Sequence, residues 1–182
     1  MRSTGVASVA ALAVVAAASA YIVVSTVQTG GRTAQRGGGT VTGPAGDAFE
    51  LSYPAGWKLV PPPVIGKDES ALVAIRKPQG AAELIVHRAG PLGTLGQPLV
   101  DSMNRSLGAR FADYRFEAAD LIHLRQGKAL FFSYVRKRTN RLLTITLVPA
   151  GRRSYVIDTV SAAKDGAAAR DIGLILRSFR RP

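Results

Sequence analysis

From residue 48 onward the apolar positions alternate with polar ones often enough to predict a protein made mostly of strands. In FELSYPAGW (49–57), Phe49, Leu51 and Tyr53 share one face at a period of two, which predicts a strand over 48–53. Pro54, Ala55 and Gly56 then turn the chain before its single tryptophan, Trp57, and Pro61, Pro62 and Pro63 forbid ladder pairing on their side. ALVAIR (71–76) and ELIVHR (83–88), separated by KPQG, read as a hairpin. Gly96, Gln97 and Pro98 open a helix in which Leu99, Met103 and Leu107 recur every four residues beside Val100, with Gly108 as its expected stop.

Five further strands are predicted, at 114–118, 121–125, 128–136, 142–148 and 154–161. Their turns fall at 126–127, 138–140 and 149–151. ALFFSYV (129–135) is apolar on both faces and predicts a strand covered from both sides, whereas LLTITLV (142–148) alternates with threonine and predicts one less buried face. The chain closes on a helix capped by Asp165, with Ala168, Ile172, Ile175 and Phe179 in one stripe and Arg177, Arg180 and Arg181 at its C-terminal end. An antiparallel sheet with helices packed on it is an α+β fold.

The first quarter follows a different pattern. Residues 6–27, VASVAALAVVAAASAYIVVSTV, carry no charge. As a helix they would extend about 33 Å, matching a hydrocarbon core of roughly 30 Å. This predicts a short cytoplasmic tail (1–5), a transmembrane signal-anchor and a single-pass protein with its domain outside the cytoplasm. The rival is a cleaved signal peptide ending at Ala18, Ser19 and Ala20, but cleavage there would leave the apolar stub YIVVSTV. Residues 28–47 hold seven glycines in 20 positions and read as a flexible tether, with a root-mean-square span of about 25 Å, leading to a globular domain over 48–182.

Charge changes the picture next. Net charge is +12, and it is uneven: residues 1–127 hold 12 Lys+Arg against 9 Asp+Glu, residues 128–182 hold 12 against 3. The concentrated cations are Arg136, Lys137, Arg138 and Arg141 in one turn, Arg152 and Arg153 in another, and the terminal RSFRR (177–181); the two turns lie at opposite ends of a predicted hairpin, and their six cations are singled out. These are the candidate partner-binding residues, for an acidic protein, an anionic envelope polymer or lipid head groups. Part of the excess is ascribed to codon bias, since 18 of the 24 cations are arginine in a chain rich in Ala and Gly.

Catalytic chemistry finds little support. Cysteine is absent, which removes disulfides, thiolate metal sites and a cysteine nucleophile. No G-x-S-x-G elbow and no phosphate-binding G-x-x-x-x-G-K-[ST] loop occurs, and Gly90, Gly93 and Gly96 do not make a dinucleotide fingerprint. His87 and His123 each lie on a predicted strand without acidic residues at metal-ligand spacing, so both read as strand histidines. Asp68 and Glu69 read as a solvated turn, Trp57 as a core plug. No cofactor, metal or catalytic residue is expected. Nucleic-acid binding, the alternative raised by the basic, aromatic segment KALFFSYVRKR, lacks the glycine of the RNA-recognition consensus, and export would remove its substrate.

The order of motifs has a further meaning. F-x-L-x-Y-P-x-G-W, a hairpin, a helix, a meander carrying GRRSYVIDTVSA and a last helix ending in ILRSFR resembles the PsbP-like superfamily over 49–180. That group takes in the extrinsic photosystem protein, DcrB-type bacterial envelope proteins and LpqN-type envelope lipoproteins. The resemblance implies an α/β/α sandwich acting as a binding or assembly module. Tyr53, Pro54, Gly56 and Trp57 match its entry motif; Tyr155, Ile157 and Phe179 match late core positions. A lipobox cysteine is missing, and the metal-binding and photosystem-docking positions of the photosynthetic members are not matched.

Overall fold

The computed structural model describes residues 38–63, 71–78, 82–125 and 127–181. The expected anchor, the first part of the tether, Asp68 with Glu69, and the turn positions 79–81 and 126 lie outside them. Among the described residues no helix is long and apolar enough to cross a membrane.

The strands are β1 (Gly39–Thr42), β2 (Glu50–Tyr53), β3 (Lys58–Val60), β4 (Ala71–Arg76), β5 (Ala82–Ala89), β6 (Tyr114–Leu124), β7 (Gly127–Arg136), β8 (Arg141–Ala150) and β9 (Arg153–Ala162). The helices are α1 (Gln97–Arg110) and α2 (Gly166–Ser178). Seven strands form one antiparallel sheet in the order β3-β4-β5-β9-β8-β7-β6, and β1 pairs with β2 separately. Because side chains alternate across a sheet, each interior strand supplies two cores. Leu84 and Val86 of β5, Tyr155 and Ile157 of β9 and Ala168, Ile172 and Ile175 of α2 share one. Phe132 and Tyr134 of β7, Leu143, Ile145 and Leu147 of β8 and Val100, Met103 and Leu107 of α1 share the other. The expected α+β arrangement, a helix on each face of an antiparallel sheet, is what the chain adopts.

Four local expectations are corrected. The segment read as tether contains β1: Thr40 and Val41 pair with Ser52 and Leu51, because β2 exposes an edge that a short Gly-flanked strand can complete. The strands expected at 114–118 and 121–125 are one strand, β6, whose register slips between Phe116 and Ala118; there the Ser133 hydroxyl donates to the Ala118 carbonyl at 3.2 Å. The threonine face of β8 is buried as fully as its leucine face, and Thr144 and Thr159 satisfy each other at 2.7 Å across the β8–β9 ladder. Gly108 does not stop α1, which runs on to Arg110.

The residues around Trp57 and the last helix behave as their chemistry predicts. Asp165 accepts from the Ala167 and Ala168 amides, capping α2. Phe49 packs against Tyr155 and Phe179 with centroids 5.4 and 5.3 Å away. Beyond α2, Arg180 exchanges backbone hydrogen bonds with Glu50 and pairs with its carboxylate, so the chain's end extends the β1–β2 pair. Trp57 is buried, and its indole N–H donates to Asp171 at 3.0 Å, joining the turn after β2 to α2. Burial alone would raise the Asp171 carboxyl; the bonds from Trp57 and Lys77 and the Lys77 charge outweigh it and hold it below its usual range. Trp57→Phe keeps most of the ring and removes that bond, with an expected loss of about 2 kcal/mol in a chemical denaturation curve. An unchanged midpoint would show that the indole N–H contributes nothing.

Candidate functional site

The β8–β9 turn places a basic cleft at one end of the sheet. Ala150 pairs with Arg153 across the turn, and Gly151 takes a φ of 72°, a left-handed conformation that glycine adopts without strain. This tight reversal holds Arg152 and Arg153 at the tip, with Tyr155 two residues further along. Gly46, Ala48 and Ala150 complete the wall with Arg181, which follows α2, around a cleft of about 460 Å³.

The loop between β1 and β2 closes the cleft from the side. The Gly43 amide donates to the Phe49 carbonyl and the Asp47 amide to the Pro44 carbonyl, at 2.8 and 2.9 Å. A Cβ at Gly43 would lie 2.2 Å from the Asp47 carbonyl oxygen, so only glycine lets the loop fold this tightly. The loop buries Asp47 between two cations: Arg88 of β5 reaches one carboxylate oxygen at 3.0 Å, and Arg153 reaches the other at 3.4 Å while also donating to the Gly46 carbonyl. Arg88 and Arg153 thus flank Asp47 from two strands, while Arg152, Arg153 and Arg181 line the cleft beside them. The Tyr155 hydroxyl, 3.5 Å from the Ala48 carbonyl, has its pKa raised, first by burial and then by the Asp47 charge, against the opposing pull of Arg181, Arg153 and Arg88.

The other expected cluster lies at the far end of the same hairpin and is organised differently. Arg136 donates to Asp113 at 2.6 Å and stacks over Phe111 at 4.1 Å, while the Arg138 amide donates to the second Asp113 oxygen at 3.1 Å. Burial works against the ionised Asp113 carboxyl, yet the bonds and charge of Arg136 and the backbone bond of Arg138 bring it below its usual range. Asp113 thus ties the β7–β8 turn, and Arg136 acts as a turn-locking residue. Lys137 and Arg138 are exposed, and Arg141 lies opposite Arg136 in the ladder. The six candidate cations form two separate groups, and only Arg152 and Arg153 line the cleft.

Arg88 and Asp47 were not singled out by sequence, and Arg181 stood out only as part of the terminal RSFRR. They are distant along the chain and carry no shared motif; only their convergence in space identifies them.

One buried ionisable pair lies on the opposite face of the sheet, the face α1 covers. His87 of β5 and Asp158 of β9 approach to 3.5 Å with side chains 0% and 2% exposed, and none of their four polar atoms has a hydrogen-bond partner among the described residues. Burial lowers the His87 pKa to about 4 and pushes that of Asp158 well up. Such exposure leaves no path for a substrate, so the pair belongs to the core. His123 is exposed near the end of β6. Among the described residues no group of three or more His, Asp or Glu side chains is placed to hold a metal ion.

Comparison with solved structures supplies the fold's name. The solution structure of cyanobacterial PsbP (CyanoP) from Synechocystis sp. PCC 6803 superposes with a TM-score of 0.62 at 15% identity, covering 86% of this chain and 99% of that one. The fold is PsbP-like. The Ran-binding protein Mog1p of Saccharomyces cerevisiae shares it at a TM-score of 0.54 and 11% identity, over 81% of this chain and 96% of that one. The structure of a Mog1 point mutant matches at the same TM-score and identity. No protein-family model matches the chain, and no curated protein matches it in sequence. At these identities the PsbP-like likeness is one of fold.

Proposed function

We propose that this chain is a membrane-tethered, exported, non-catalytic binding or assembly module of the bacterial cell envelope, related in role to the DcrB- and LpqN-type proteins, and that it presents its basic cleft to an acidic partner. The observation that carries the reading is that Arg152, Arg153 and Arg181, from separate segments, line one cleft at one end of the sheet. Arginine clusters of this kind bind carboxylates and phosphates through paired N–H forks. The PsbP-like scaffold suits the role, since Mog1p, which shares it, is named for binding another protein. The uncharged run over 6–27 supports delivery to a membrane, and the glycine-rich residues after it support a short leash.

The test combines location with contact. On intact spheroplasts, external protease is expected to digest the domain. A photo-crosslinking residue replacing Arg152 is expected to capture an acidic envelope component, while one replacing Arg138 captures none. A domain protected from protease until the cells are lysed would overturn the export reading. Capture through position 138 alone would move the interface to the other end of the hairpin.

A further inference from the structure

We propose that the exposed stripe of α2 formed by Arg170, Leu174 and Arg177 is the face on which the domain rests against an anionic lipid bilayer; this deepens the membrane-tethered reading and rests on it. One side of the helix is taken up by the core. Ala168, Ile172 and Ile175 are buried there, and the spacing of Arg170, Leu174 and Arg177 puts those three on the opposite side. All three are exposed, and Leu174, at 53%, is the one large apolar side chain that α2 leaves open to water. A Cβ at Gly166 would meet the Arg170 guanidinium at 3.8 Å, and one at Gly173 would meet that of Arg177 at 3.7 Å. Each cation therefore lies along the helix over a glycine one turn back. The stripe runs about 10 Å, with Leu174 between two positive charges.

Those charges are not neutralised within the domain. Among the described residues neither Arg170 nor Arg177 makes an ion pair, and Arg170 is only the last of the influences on the Asp171 carboxyl. Asp171, the one carboxylate within α2, is held by the Trp57 indole and by Lys77, while Asp165 caps the first turn. A leucine flanked by two free cations complements anionic head groups over an apolar layer, and each cation near such a surface strengthens binding about fivefold.

The place where the chain enters the domain selects this face. Gly39 pairs with Tyr53, and the neighbouring Ser52 is bound twice to Ser178, the last residue of α2. Its amide donates to the Ser178 hydroxyl at 2.9 Å, and its carbonyl accepts from that hydroxyl at 3.0 Å. The chain following the uncharged run thus reaches the fold beside the end of the stripe. Ten residues, 28–37, separate that run from Gly38 and span at most about 35 Å. A second exposed leucine, Leu59 at 55%, stands on β3 opposite Ile75 of the core beneath α2, so it faces the same side of the sheet. Helix α1 packs on the other face.

The test uses the full chain, whose lack of cysteine permits a single fluorescent label. Ala167→Cys places it two turns before Leu174 on the same side of α2, and Arg105→Cys, exposed on α1, is the control. Each labelled chain is reconstituted into vesicles of phosphatidylcholine, or of phosphatidylcholine with phosphatidylglycerol, that contain a head-group spin-labelled lipid as quencher. The expected result is strong quenching at 167 in the anionic vesicles, reduced by high salt, with the label at 105 unquenched in both. Arg170→Gln with Arg177→Gln should lower the ratio of docked to free domain about 25-fold, the product of two fivefold contributions. Emission from buried Trp57, which is bonded to α2, should stay unchanged and report that the helix remains packed.

Equal quenching at 167 and 105, equal quenching in both vesicle compositions, or none at 167 overturns the proposal. Carbonate extraction of the same vesicles separates this from failure of the tether. A chain that resists extraction but shows no quenching at 167 loses only the docking face, whereas a chain released by carbonate loses the anchor and the docking face together.

Discussion

Asp158→Asn is expected to reshape how stability follows pH, with the wild-type protein losing stability relative to the variant as pH rises above the ordinary carboxylate range. The cause is the buried pair of His87 and Asp158. Burial favours the uncharged form of each. His87, its pKa lowered to about 4, is neutral in the folded chain and protonated in the unfolded one up to its ordinary value, so its share of stability grows as pH rises through that window and is level above it. Asp158 acts with the opposite sign: its raised pKa keeps in the folded chain a proton that the unfolded chain loses above the ordinary carboxylate range, so its share falls as pH rises and offsets the histidine.

The variant isolates the histidine. Asparagine cannot titrate, and His87 with its lowered pKa remains, so Asp158→Asn should gain stability from about pH 4 to 6.5 and stay level above. Urea denaturation of both proteins at a series of pH values reads the two profiles directly. Parallel profiles for the wild-type protein and the variant would show that Asp158 holds no extra proton in the folded state. The other displaced carboxyls, Asp113 and Asp171, are lowered and change stability only in acid, outside this window.

Phe49→Ala should cost about 3–5 kcal/mol, the usual range for removing a fully buried ring, and lower Tm by about 10–20 °C. Phe49 sits where three separate parts of the chain meet: the start of β2, Tyr155 of β9 and Phe179 at the end of α2. Its ring is 1% exposed and lies beneath the residues that form the cleft, since Tyr155 and Ala48 also line it. The substitution should therefore loosen the cleft as well as the core, so Arg152 should react faster with phenylglyoxal even at temperatures where the variant is folded. A loss below about 1 kcal/mol would mean that neighbouring side chains collapse into the space, and that the three rings are not the clasp their geometry describes.

The sequence made the sheet and both helices legible because their signals are local. Period-two runs such as ALVAIR, four-residue spacing at Leu99, Met103 and Leu107, and a capping aspartate at 165 each act within a few residues. Phe49, Trp57 and Phe179 were legible as core because large rings are seldom left in water. β1 was not legible: Gly-Thr-Val-Thr resembles linker until the partner edge of β2 is known. The slip in β6 was hidden because Ala119 and Asp120 read as a break between two strands, when one strand continues past an extra residue at Glu117. The threonines of β8 looked solvent-facing, and only the ladder pairing of Thr144 with Thr159 shows how the Thr144 hydroxyl is satisfied in the interior. The cleft was half legible: Arg152, Arg153 and the terminal arginines stood out as neighbours in sequence, whereas the pairing of Asp47 with Arg88 and Arg153 depends on strands far apart along the chain.

The same slip in β6 has a consequence for how these molecules tolerate crowding. β6 is the outermost strand on its side, 11 residues long, with Phe116 and Leu121 half open to water, a profile that invites a second copy to zip on and polymerise. The extra residue at Glu117 bends the line of amides out of register, so an identical strand could not pair along its whole length. At the other rim β3 is only three residues long and runs straight into Pro61, Pro62 and Pro63, which have no amide hydrogen to offer. Each rim of the sheet thus works against fibril growth, one by distortion, the other by brevity and missing donors.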